Sequence, residues 1–295
     1  MAQGIGPGEL RHMVERGEVV QVRRGVYADE PFTGDHKLDH IIRARAAALL
    51  LSDNKVFSHQ TAGVLHGLPV WRPRLVRVAV TRHGRSGGRR DANLILRAAP
   101  LPETDITMVD GLPVTTLART AADLARDLPL MWALPVLDSA LRLGLEREEL
   151  KAQEKAVARW PGVRTFKAAL RLADAAAESP GESISRVVFH RLGIPPPLLQ
   201  QDIFHSETGK FLGRPDFCWP ELRIVGEFDG KVKYSCGADD EKLEDIVMRE
   251  KRREHELRAD AWEVIRWVWA ELFEPQAILE QWRVACAASA RRGVS

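Results

Sequence analysis

A chain of 295 residues, 45% apolar and 28% charged, is long for one domain and comfortable for two, and reads as an ordinary soluble globular protein. No apolar run approaches the roughly eighteen residues of a membrane span, and the first thirty residues lack the apolar core of a signal peptide. The three cysteines, Cys218, Cys236 and Cys286, form neither a disulfide framework nor a zinc spacing, which predicts a reducing cytoplasm. Net charge is +2 but uneven: residues 1–100 hold 16 Lys and Arg against 9 Asp and Glu, whereas residues 181–295 hold 17 against 20. The N-terminal excess points to a polyanion, and an arginine-rich solvated surface is the competing explanation.

In chain order, GELRHMVERG (8–17) predicts a short amphipathic helix with Leu10, Met13 and Val14 on one stripe and Gly17 as its stop. EVVQVRRGVYAD then alternates like a strand, breaks at Arg24-Gly25 and resumes. A helix followed by a two-stranded wing carrying Arg23 and Arg24 is the end of a winged helix-turn-helix, whose first two helices would have to precede this point. HKLDHIIRARAAALLL (36–51) and SHQTAGVLHGLPV (58–70) are helix candidates, the second stopped by Gly67. Strand-like LVRVAV (75–80), the flexible basic loop RHGRSGGRR (82–90), LILRA and the turn Asp110-Gly111 lead into VTTLARTAADLARDL. There Thr116 caps a helix whose apolar stripe includes Leu117, Ala121 and Leu124. More helix runs through 132–175, and Ser179-Pro180-Gly181 interrupts it, so a domain boundary is placed near 175–181.

From residue 182 the pattern changes. ESISRVVFHRLG is a helix stopped by Gly193, and Pro195–Pro197 marks a rigid corner. Strand candidates follow at 199–205, 211–219 and 222–228, then a long charged helix over about 239–258 and the strand WEVIRWVW at 262–269. Helix, antiparallel hairpin, crossover helix and strand make an α/β unit with a mixed sheet.

Within it, RPDFCWPELRIVGEFDGK (214–231) sets Asp216, Glu227 and Asp229 among apolar runs, besides Glu221 of the intervening turn. A four-residue turn at Pro220–Arg223 pairs Trp219 with Ile224, Cys218 with Val225 and Phe217 with Gly226, and so sets Asp216 opposite Glu227. Opposed Cβ atoms of an antiparallel pair lie roughly 5 Å apart, and Asp229 points to the same side. Carboxylates so close require a counter-ion, for which Lys231 and a divalent cation are the candidates. The structural alternative makes Asp229-Gly230 a turn, Asp216 a cap or a partner of Arg214, and Glu227 the partner of an arginine on the long helix.

Pro215-Asp216 followed by Glu227-Phe228-Asp229-Gly230-Lys231 resembles the PD-(D/E)XK nuclease superfamily, in particular its branch related to very-short-patch-repair endonucleases, over about residues 180–275. Arg253 and Leu257 on the helix, then Ala261-Trp262 and Arg266, fit the same pattern, with Ala261 where that branch has glycine. The resemblance implies Asp216 and Glu227 as Mg²⁺ ligands (Mn²⁺ as a substitute), with Asp229 assisting, Glu182 completing or orienting the metal shell and Lys231 steadying developing charge. The lysine position is ambiguous, since counting from Glu227 reaches Asp229 and counting from Asp229 reaches Lys231. His190 and His205 read as surface or supporting residues, and the tryptophans of the last strand as core.

The segments GELRHMVERGEVVQVRRGVY, SHQTAGVLHGLP and VDGLPVTTLARTAADLAR are similar to the AbiEi family of antitoxins and regulators, over about residues 8–130. This implies DNA phosphate contacts from Arg23 and Arg24 of the wing and from Arg82, Arg85, Arg89 and Arg90 of the loop, and Arg253 of the nuclease-like pattern is expected to bind DNA as well. The expected architecture is a partial winged-helix element at 1–35 and an AbiEi-like α+β domain at 36–178, mainly helical. A nuclease-like domain at 179–280 follows, α/β with a restriction-endonuclease-like mixed sheet and flanking helices. The expected function is Mg²⁺-dependent cleavage or nicking of double-stranded DNA in a defence, toxin–antitoxin or mobile-element setting, with a cognate toxin or a second copy as further partners and no membrane. The rival is a non-catalytic DNA-binding regulator whose nuclease fold has degenerated. GIGPGE matches no P-loop or dinucleotide fingerprint, and no serine nucleophile elbow is present.

Overall fold

The computed structural model describes residues 5–29, 32–52, 54–71, 75–84, 86–230 and 240–292 as a mixed α/β protein. The chain divides into two compact units, Met1–Pro129 with Leu143–Arg171, and Leu130–Arg142 with Leu172–Ser295. No helix among the described residues is long and apolar enough to cross a membrane.

The first unit opens with α1 (Pro7–Glu15) and the antiparallel pair β1 (Val20–Arg23) and β2 (Val26–Ala28), the expected helix and wing. Val14 of the predicted stripe is exposed. Asp35 caps α2 (His36–Ala48) by accepting the Lys37 and Leu38 N–H groups, and Ala44 and Ala47 of that helix enter the core. Next come β3 (Lys55–Phe57), α3 (His59–Leu65), β4 (Val78–His83), β5 (Arg89–Arg90), β6 (Leu94–Ala99), β7 (Ile106–Val109) and β8 (Leu112–Thr115). They form a six-stranded mixed sheet ordered β5-β6-β4-β3-β8-β7. Strand β4 starts later than the predicted 75–80, because the Leu75 carbonyl accepts from His40 Nδ1 (2.9 Å) instead of joining the ladder. The basic loop also differs from expectation: Arg89 and Arg90 pair with Leu96 and Ile95 as a short edge strand. Thr116 caps α4 (Leu117–Asp127) as predicted, accepting the Arg119 N–H.

Helix α5 (Leu130–Arg142) belongs to the second unit, although α6 (Arg147–Ala156) and α7 (Val163–Leu172) return to the first. Buried Asp138 of α5 accepts from Arg186 (3.0 Å) on α8 (Pro180–Leu192), a helix capped by Ser179 and closed by left-handed Gly193 (φ 70°). The strands expected at 199–205 and 211–219 are each broken in two: β9 (Leu198–Leu199) and β10 (Ile203–Phe204), β11 (Phe211–Gly213) and β12 (Phe217–Trp219). Left-handed Gln200 (φ 52°) turns the first strand, and Gly213 (φ 155°) with Pro215 turns the second. β10 and β11 therefore leave as a separate hairpin, while β9 and β12 stay with β13 (Ile224–Asp229) and β14 (Glu263–Val268) in the order β14-β13-β12-β9.

The predicted register holds: Phe217 faces Gly226, Cys218 faces Val225 and Trp219 faces Ile224. The crossover through α9 (Asp240–Ala259) makes β13 and β14 parallel. Phe217, Trp219 and Trp267 pack with Phe189 of α8 on one face, and Cys218, Val225 and Val264 pack with Leu257 of α9 on the other. Helices α10 (Trp269–Phe273) and α11 (Gln276–Arg292) complete the unit, Trp282 of α11 meeting Trp219.

Candidate functional site

Helix α8 begins where serine, proline and glycine each have a local task. Ser179 accepts the Glu182 N–H (3.2 Å), Pro180 occupies the first turn without needing a donor, and Gly181 leaves room for the Phe228 ring. A Cβ on Gly181 would lie 1.9 Å from Phe228 Cε1, so this glycine lets the start of α8 touch β13. Glu182 is thereby buried at the strand ends, its Oε2 accepting from Glu178 N (2.8 Å) and Gln200 Nε2 (3.2 Å).

The same Gln200 amide donates to Asp216 Oδ1 (3.3 Å), and the other Asp216 oxygen accepts the Phe228 N–H (2.8 Å). Two carboxylates thus share one neutral donor. Burial raises the Asp216 pKa above the ordinary aspartate value; the Phe228 N–H opposes the rise, Glu182 adds to it and Gln200 opposes it. Gln200 was not foreseen from the sequence. Its left-handed backbone, which costs on the order of 1 kcal/mol for a non-glycine residue, has no signature in a run such as LLQQD.

Glu227 takes another course. Its register partner on β14 is Arg266, whose Nη2 lies 2.8 Å from Oε2, while Arg253 of α9 donates to Oε1. The alternative in which Glu227 meets an arginine of the long helix is therefore realised, with a second arginine added. Asp216 does not pair with Arg214, which binds Glu178 instead (2.9 Å). The acid brought to Asp216 is Glu182, across the shared amide. Asp229 is exposed at the end of β13, and Lys231 lies outside the described residues. Among the described residues no three His, Cys, Asp or Glu side chains gather closely enough to hold a metal ion. Glu182 and Asp216 nevertheless fit a hard cation of the Mg²⁺ type, which binds through one or two carboxylates and fills its shell with water and phosphate oxygens.

His190 is exposed, and His205 Nδ1 lies 3.6 Å from Asp260. Trp262 and Trp267 are core residues, with the Trp267 indole donating to Ser185 Oγ (2.7 Å). Of the arginines expected on DNA, Arg24 and Arg90 are exposed and Arg23 is half-buried on β1. Arg82 folds back onto the Ser86 carbonyl (2.9 Å) and Arg89 meets Asp91 (3.2 Å). Arg85 lies outside the described residues.

These features define a two-unit α/β protein with an acidic pair at the strand ends of its second sheet, and the comparisons with known proteins supply the rest. Residues 47–174 match the model of the AbiEi antitoxin C-terminal domain, a span running from the end of α2 past α7, whereas the wing precedes it. The chain is 30% identical over 262 residues to "Uncharacterized protein MT2308" of Mycobacterium tuberculosis (strain CDC 1551 / Oshkosh), covering 87% of this chain and 88% of that protein. The same identity and coverage hold for "Uncharacterized protein Rv2248" of M. tuberculosis (strain ATCC 25618 / H37Rv). The chain belongs to the family of these mycobacterial proteins and carries an AbiEi antitoxin-type domain within it.

Proposed function

We propose that the second unit is a restriction-endonuclease-like domain that cleaves or nicks double-stranded DNA with Mg²⁺ or Mn²⁺, fused to an AbiEi-type region in a cytoplasmic defence or toxin–antitoxin system. The observation that carries this reading is the pair Glu182 and Asp216, two carboxylates on one amide donor, with Asp216 raised by burial and by its acidic neighbour. Among the described residues such a pair carries more negative charge than its surroundings compensate, and a divalent cation is the ligand that would relieve it. The metal would polarise a phosphoryl oxygen and lower the pKa of a bound water. Asp216 and Glu182 would hold it, Gln200 would orient both carboxylates, Asp229 would assist, and Lys231 would steady developing charge. Exposed arginines of the wing and of β5 would grip the duplex, and a cognate toxin or a second copy would bind elsewhere on the chain.

A second reading, a DNA-binding regulator with a silent nuclease fold, is favoured by Glu227, whose two oxygens are already taken by Arg253 and Arg266. Incubating the purified protein with supercoiled plasmid, with and without Mg²⁺, separates the two. Metal-dependent nicked or linear product is expected. A protein that binds the plasmid yet never cuts it with Mg²⁺ or Mn²⁺ is the regulator.

A further inference from the structure

We infer that Arg253 and Arg266 form a phosphate-binding pair, held by Glu227 as a built-in stand-in until a DNA phosphate displaces it. The guanidinium fork accepts a carboxylate and a phosphodiester by the same geometry, two oxygens against N–H donors. Here each oxygen of one carboxylate faces its own arginine, Oε1 to Arg253 and Oε2 to Arg266. An anion with two non-bridging oxygens can occupy the same two positions.

The pair is held in place. Register sets Arg266 directly beside Glu227. The stem of Arg253 lies against Gly213, where a Cβ would come within 3.0 Å of Arg253 Cδ. The side chains of Arg253 and Arg266 keep 23% and 38% of their exposure against 13% for Glu227, so the arginines are the members an incoming ligand reaches. Arg266 also lies 3.5 Å from Glu254, which Arg258 holds in turn (2.9 Å), so exchange at Glu227 leaves Arg266 anchored. A static ladder pinning α9 to the sheet is the competing account.

The inference rests on the reading that DNA docks at this end of the sheet and is independent of cleavage, so its test is run in EDTA. Binding of a fluorescein-labelled duplex is followed by anisotropy across a salt series. Glu227→Gln keeps the shape and withdraws the competing charge. Engaging one further phosphate should steepen the slope of log affinity against log salt by about 0.9, equivalent to roughly eightfold tighter binding near 0.1 M salt. Adding Arg266→Ala or Arg253→Ala to Glu227→Gln should cancel that increase, and Glu221→Gln, the same charge change at an exposed site of this unit, should not reproduce it. Should Glu227→Gln fold poorly, Glu227→Ala, which withdraws the same charge, must give the same steeper slope in the same salt series. An unchanged slope in well-folded Glu227→Gln, a steeper slope that survives removal of either arginine, or no DNA binding by any variant overturns the exchange. Wild type that binds DNA but does not cut with Mg²⁺ overturns the nuclease reading and leaves the exchange standing.

Discussion

Asp123 in the first unit is buried and Asp216 in the second half-buried, and the two aspartates are compensated in opposite ways. Asp123 is fully buried on α4, with Oδ2 accepting from Arg119 Nε (2.9 Å) and Oδ1 from Arg126 Nη2 (2.6 Å). Both guanidiniums lie over the Trp160 ring at 4.9 Å, and Arg119 continues to Asp105 (2.7 Å). Burial alone would raise the Asp123 pKa, but His59, Arg119 and Arg126 outweigh it and hold the carboxyl below its usual value. Asp216 has a backbone N–H and half of an amide, and there burial prevails. A carboxylate supplied with its countercharges holds a fold together; one left short of them is open to a cation.

The contrast can be broken by substitution, the largest effect first. Asp216→Asn keeps an oxygen for the Phe228 N–H and removes the charge, so metal-dependent plasmid cleavage should vanish while the urea midpoint holds or rises. A variant that still cuts, or one that merely unfolds, makes Asp216 a structural residue like Asp123. Asp123→Ala should do the reverse by leaving two buried guanidiniums without their shared anion, at about 3–5 kcal/mol of stability. A loss under about 1 kcal/mol in urea titration would show that the network is not what holds α4.

Acid should separate the units further. Burial lowers His59, against the pull of Asp123, to a pKa of about 4. A folded pKa below the unfolded value means that protons favour the unfolded state, so stability is lost as pH falls from about 6.5 towards 4, on the order of 2 kcal/mol by pH 5. Asp138 is raised by burial, against Arg186, to about 6. Its folded form takes up a proton more readily than the unfolded chain, so stability is gained as pH falls through 6 towards 4, on the order of 1 kcal/mol by pH 5. Hydrogen exchange resolved by unit should show the first weakening and the second strengthening between pH 7 and 5. His59→Asn, tolerant of the left-handed backbone at that position (φ 49°), should abolish the first trend, and Asp138→Asn the second.

The smallest effect belongs to the basic edge. Replacing Arg89 and Arg90 with glutamine should flatten the salt dependence of duplex binding by about 0.9 for each phosphate no longer neutralised, with no change in stability. An unchanged slope would make β5 a solvated strand only.

What could be read in the sequence was local. The Pro220–Arg223 turn dictated the 217–219 pairing, because a short turn leaves one register that keeps Cys218 and Val225 on one face and Phe217 and Gly226 on the other. Thr116 was legible as a cap and Gly193 as a stop, since each acts within one helical turn. The acids at 216, 227 and 182 were visible as residues out of keeping with a hairpin or a helix start.

Their partners were not visible, because a carboxylate's counter-ion comes from wherever the fold brings one. Arg266 reaches Glu227 only through the parallel crossover of β13 and β14, and Gln200 reaches Glu182 and Asp216 only because its backbone turns left-handed. Helix α5 reads as one more helix between α4 and α6, yet it packs into the second unit through Asp138 and Arg186, which are far apart in sequence. Turns, caps and alternation are set by neighbours along the chain, and the sequence determines them. Which charges end up sharing a donor is set by long-range packing, so only the tertiary structure decides which acids are compensated.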